Sequence, residues 1–166
     1  MTRLQQAAYN AQLAAGLPVS RLAMATLVSD NGRISYQDCA EYIRAVQREG
    51  WFAAAFPAHT APIAVVGGRG VSRADAAQRQ IKIGTYDRGD PSACERACLH
   101  ELAHIVTPDR GPSGELREPG HGHQSSKGHY HAWRVNFILI VRKTLGRQAA
   151  KRLGHEFRQW GLPTAR

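Results

Sequence analysis

Apolar residues recur at helical spacing in five stretches of the chain, and a compact β-branched run interrupts them. Residues 36–49 are the clearest helix: Cys39, Tyr42, Ile43 and Val46 recur at offsets of three and four. Ser35 stands at the N-cap with Asp38 three residues on, close to a capping box, and Gly50 is expected to stop the helix. Trp51, Phe52, Phe56 and Pro57 follow as an apolar cluster suited to pinning it to a core. Residues 2–15 read as a short helix ending at Gly16, with Pro18 beyond it. Residues 91–107 form a third, with Asp90 as N-cap, Pro91 in the first turn and Pro108 as its stop. Helical spacing resumes at His129 and runs through Trp133, Phe137, Ile140 and Val141 to Gly146, and residues 147–160 make a last helix. Between the second and third helices, 62–66 is β-branched and 80–86 alternates. With Gly67, Gly68 and Gly70 between them, the two predict a hairpin with a long loop. No Lys-Ser/Thr follows those glycines and no G-x-G-x-x-G is present, so they mark a turn and not a phosphate-binding loop.

Length and composition narrow the class. At 166 residues, 43% hydrophobic and 21% charged, the chain is expected to be one globular domain, 1–166, of class α+β. No apolar run approaches the roughly 18 residues of a membrane span. The first residues mix Arg3, Gln5, Gln6, Asn10 and Gln12 among alanines and do not read as a secretory signal. Three cysteines without a C-x-x-C pair read as reduced thiols in a cytoplasmic protein. Cys94 and Cys98 align with Leu102 and Ile105 on the third helix, and Cys39 lies on the apolar stripe of the second, so all three are expected to be core thiols.

The chemistry concentrates at His100-Glu101-Leu102-Ala103-His104, an H-E-x-x-H motif on the third helix. At about 100° per residue the two imidazoles differ by about 40° of net rotation, so both reach one point in space, as two ligands of one metal ion must. Glu101 is turned about 60° from His104. It can therefore meet the water that such an ion activates without being a ligand. From the chain's own composition a chance match has a probability of about 2%. Six of the eight histidines, at 100, 104, 121, 123, 129 and 131, also fall in one short window.

A catalytic zinc needs a third protein ligand and an open fourth position. His121, His123, His129, His131, Asp109, Glu115 and Glu118 are available. His129 and His131 lead because they begin a helix, where a ligand is better held than in a loop. Spacing alone does not choose between them. Residues 108–128 are rich in Gly and Pro and are expected to form a flexible loop over the site. Asp109 and Glu118 could orient a liganding histidine.

These residues resemble a known family. H-E-L-A-H, a variable loop, then a His followed four residues on by an aromatic is similar to the small zinc metallohydrolases of actinobacteria and their phages. In those proteins HELAH is followed by H-G-x-x-F and a closing L-V-x-x-x-x-G helix. Here His129-Tyr130-His131-Ala132-Trp133 falls on H-G-x-x-F, with Tyr130 in place of Gly and Trp133 in place of Phe. Residues 140–146 fall on the closing helix, and Trp51-Phe52 with Phe56-Pro57 on a W-F…F-P stretch. The resemblance implies His129 as third ligand, with His131 as runner-up. It also implies a zincin-like fold: a small sheet or hairpin packed on the helix carrying H-E-x-x-H, with helices after it. A more distant likeness is to SprT-like metalloproteases, which act near DNA.

The expected function is a zinc-dependent hydrolase, by preference a metallopeptidase, with Glu101 handling the proton and a peptide or protein as substrate. Tyr130, His131 and Arg134 are candidates to stabilise the oxyanion. Strand 80–86 could offer an edge to an extended peptide. Two other classes stay open. From residue 134 onward eight Lys/Arg face one acid, Glu156, and such a segment could attract nucleic acid. A non-catalytic structural zinc domain would add a fourth ligand. His59 and His155 read as surface residues.

Overall fold

The structure, a computed structural model, describes residues 3–107, 131–162 and 164. Its elements in chain order are α1 (Arg3–Ala14), α2 (Arg21–Thr26), β1 (Ser29–Asp30), β2 (Arg33–Ile34), α3 (Tyr36–Arg48) and α4 (Gly50–Ala55), then β3 (Ala64–Gly68), β4 (Arg73–Asp75), β5 (Gln80–Gly84), α5 (Pro91–Val106), α6 (His131–Thr144) and α7 (Arg147–Gln159). The class is α+β, mostly helical with small sheets. The chain divides into two compact units, Val19–His121 and Met1–Pro18 with Gly122–Arg166.

In the Val19–His121 unit the helix starts follow the sequence closely. Ser35 Oγ accepts from the Asp38 N–H at 3.0 Å, and Asp90 Oδ1 accepts from the Ala93 N–H at 2.9 Å. Each such cap stabilises its helix by about 1 kcal/mol. Gly50 does not stop helical structure. Glu49 leaves the helical region, with ψ at 132°, and α4 starts at once with Gly50. Phe52 is thereby buried, and it packs against Trp51 and Phe56 at centroid distances of 5.6 and 5.2 Å.

The sheet corrects the expected hairpin. β3 and β5 are neighbours but parallel, with Ala64 opposite Gln80 and Gly68 opposite Gly84. To enter β5 in the same direction, the chain returns along β4, which pairs antiparallel with β5 on its far side. The true hairpin is β4–β5, closed over residues 76–79 with Arg79 at φ 49°. The expected strand 80–86 is β5 over 80–84, with a 3-10 turn from Thr85; it is the central strand and offers no edge, the edges being β3 and β4. A tight turn, Asn31-Gly32, joins β1 to β2 with φ at 50° and 75°, the left-handed pair that a two-residue hairpin favours.

α3 packs against β3, while α5 lies against β4 and β5. Ile81 and Ile83 are fully buried on β5, each worth about 1.5–3 kcal/mol of transfer free energy. At Gly84 the backbone of the 69–72 turn crosses so closely that an added Cβ would stand 2.0 Å from the Gly70 carbonyl oxygen. That turn is held by its own hydrogen bonds: Gly70 N–H to Thr85 Oγ1, Ser72 N–H and Oγ–H to Asp87, and Gly84 N–H to Ser72 Oγ.

In the other unit α7 packs against both α1 and α6. Trp133 stacks on Phe137 with centroids 5.0 Å apart and meets the edge of Phe157 at 6.3 Å. Arg152 closes the C-terminal end of α1, donating to the Ala15 and Gly16 carbonyls at 3.1 and 3.4 Å. Ala149, Ala150, Leu153 and Phe157 form the buried side of α7, and Arg147, Lys151, His155 and Arg158 form its exposed side.

Candidate metal centre

α5 carries ten buried residues and leaves His100 and His104 half-buried, one turn apart. Their Nε2 atoms lie 3.3 Å apart, with ring planes tilted by 58°. Two imidazole nitrogens bound to one tetrahedral ion at about 2.0–2.1 Å must stand about 3.3 Å apart. The donor pair thus fits zinc without rearrangement. A carboxylate oxygen of Glu101 completes a group in which the three ligand-type atoms lie within 4.8 Å of one another.

Glu101 is 6% exposed, although glutamate is rarely found buried. Burial, with the Asp87 carboxylate adding to it, pushes its pKa up to about 8, and a hydrogen bond from the Ala74 backbone N–H partly offsets this. Each of these neighbours is delivered by the sheet: Ala74 by β4, Asp87 by the turn that follows β5. Asp87 is itself oriented by the hydroxyl and N–H of Ser72, at 2.6 and 3.0 Å. Sequence reasoning found neither, because both reach Glu101 only through strand pairing.

A second buried carboxylate holds α5 in place. Glu95, 1% exposed, accepts from Tyr42 Oη at 2.6 Å, from the Ser20 N–H at 2.8 Å and from the Ser20 hydroxyl. Ser20 is also the N-cap of α2, so one carboxylate joins α2, α3 and α5. Its sequence signal was available: Glu95 shares a helical face with Leu99 and Leu102, where an acid must find donors.

His129 lies outside the described residues, as do Tyr130, Asp109, Glu115, Glu118, His121, His123 and the loop 108–128. His131 is the first residue of α6 and is exposed, whereas Arg134 on the same helix is buried, which lowers its pKa. Cys39, Cys94 and Cys98 are fully buried free thiols, as expected of core positions. His155 is exposed; His59 is half-buried, and burial with the Arg79 charge lowers its pKa. An open groove lined by Tyr36, Val66, Arg69, Thr85 and Arg88 includes none of the H-E-x-x-H residues. No protein-family model, no curated protein and no solved structure matches the chain.

Proposed function

We propose that the chain is a zinc-dependent hydrolase and, among hydrolases, a metallopeptidase. The observation that carries this is the 3.3 Å separation of the His100 and His104 Nε2 atoms with the Glu101 carboxylate beside them. His100 and His104 would hold the ion, with His129 as third ligand on the resemblance to small actinobacterial and phage metallohydrolases of zincin-like fold. A zinc ion held there would supply a water of lowered pKa and polarise a substrate carbonyl. With the ion's positive charge beside it favouring the ionised carboxylate, Glu101 would take the proton from the attacking water and return it to the leaving nitrogen. The Ala74 N–H holds one side of that carboxylate, and the burial around it keeps bulk water from competing for the proton.

A peptide substrate is favoured by the position of β4. It is an edge strand, packed against α5, and its Ala74 N–H reaches Glu101. An extended chain lying along that edge would run beside the carboxylate. Three free buried thiols agree with a reducing compartment, and we place the protein in the cytoplasm on that basis. No helix among the described residues is long and apolar enough to cross a membrane.

Elemental analysis of the untagged protein tests the centre. Bound zinc in the wild type, with one equivalent lost in His104→Ala, is the expected result. Equal metal in both, or none in either, overturns the proposal. His129→Ala examined beside them tests the third ligand, and zinc retained there moves the role to His131 or to the loop.

One observation favours a second reading, that of a protein acting near nucleic acid. The exposed side of α7 sets Arg147, Lys151 and Arg158 in a row at helical spacing, on the segment already marked by its charge. It is compatible with the first, since a peptidase can be held near a polyanion.

A further inference from the structure

Three thiols meet in the core of the Val19–His121 unit. Cys39 comes from α3, and Cys94 and Cys98 come from successive turns of α5. All three are 0% exposed, and their sulfurs lie within 4.8 Å of one another. The Cys39 and Cys94 sulfurs are 3.3 Å apart, too far for a disulfide and close for two thiols in simple contact. Two of the three occupy equivalent places: Cys39 is four residues past the N-cap Ser35, and Cys94 four past the N-cap Asp90. The N-terminal parts of α3 and α5 therefore converge on the cluster.

We propose that Cys39, Cys94 and Cys98 form a second metal site, a buried tris-thiolate that takes a thiophilic divalent ion of the zinc and cadmium type and clamps α3 to α5. The geometry suits it. Thiolates at about 2.3 Å from one ion stand about 3.8 Å apart, and the Cys39 and Cys94 sulfurs at 3.3 Å, with all three within 4.8 Å, bracket that spacing. The charge also suits it. Three thiols lose three protons as the ion binds, leaving one net negative charge in the core. The Arg88 guanidinium lies close enough to act electrostatically on Cys39. The Nε of Arg88 is buried and has no hydrogen-bond partner among the described residues, as a group placed to balance charge would be.

The site is separate from the histidine pair. At about 100° per residue Cys94 and Cys98 lie about 120° around α5 from His100 and His104. With no exposed sulfur, the ion must enter as the chain folds, and its work is structural.

The test is to refold the reduced full chain with cadmium(II) and record the ultraviolet thiolate-to-metal charge-transfer band, which imidazole ligands do not give. The band is expected at one equivalent in the wild type and in the His100→Ala/His104→Ala double variant, and is lost in Cys94→Ala. Zinc should likewise remain at one equivalent in the histidine double variant isolated from cells. Absence of the band from refolded, reduced wild type overturns the proposal, and this needs no cysteine variant to fold. An isolated protein whose intact mass is short of two hydrogens, marking a Cys39–Cys94 disulfide, overturns it in favour of a redox pair. Failure of the histidine site would leave the cadmium band untouched, so the two proposals fail separately.

Discussion

The phenol of Tyr42 donates a 2.6 Å hydrogen bond to the Glu95 carboxylate, joining α3 to the helix that carries the two histidines. Burial, and then the Glu95 charge, hold the Tyr42 pKa well above the usual value near 10. Because the neutral phenol is the form the fold prefers, this contribution is complete below pH 10 and is lost as pH rises through the folded-state value. Native protein should therefore retain one un-ionised tyrosine at a pH where the unfolded chain ionises all five. Tyr42→Phe should cost about 1.5–3 kcal/mol, the range for a hydrogen bond to a charged group, as read by urea unfolding. A loss under about 0.5 kcal/mol would mean that the carboxylate finds another donor.

If the proposed zinc hydrolase reading holds, Glu101→Gln separates catalysis from metal binding. The amide keeps the volume and still accepts from the Ala74 N–H, but it cannot take a proton. Zinc content should be unchanged, while hydrolysis of a mixed peptide library falls by about 10²–10⁴-fold. Retained activity would move the proton-transfer role elsewhere.

Gly84→Ala tests the crossing of the 69–72 turn over β5. The neighbour at 2.0 Å is a backbone oxygen, so no rotamer relieves the contact. A loss of about 1–3 kcal/mol is expected, with a lower Tm by calorimetry. The same change should disturb the Ser72–Asp87 bonds, since Gly84 N–H donates to Ser72 Oγ at 3.0 Å.

If the exposed side of α7 meets a polyanion, alanine at Lys151 or Arg147 should lower affinity for DNA equally across sequences. Each change should reduce the slope of log K against log salt by about 1. Wild-type protein that does not bind DNA at low salt would retire that second reading.

How much was legible in the sequence differs from element to element. α3 and α5 were readable nearly to the residue, because Ser35 and Asp90 are caps and caps are local chemistry. The juxtaposition of His100 and His104 was equally local, since helical periodicity alone superposes positions four apart. The direction of β3 against β5 was not legible: an apolar run at 62–66 fits a parallel or an antiparallel neighbour equally, and only the return along β4 decides it. Asn31-Gly32 was a readable turn signal, yet the strands it joins are two residues each, too short to carry a hydrophobic alternation.

By itself the sequence determined the five longer helices, the burial of the three cysteines and the meeting of His100 with His104, all consequences of spacing along one backbone; the six-residue helices α2 and α4 are too short to show such a period. Only tertiary structure placed the Ala74 N–H and Asp87 beside Glu101, gave Glu95 its donors from two other helices and brought Cys39 to Cys94. The physical reason is the same in each case. A periodicity fixes which way a side chain points from its own element, while its partner lies on another element whose approach is set by the packing of the whole core.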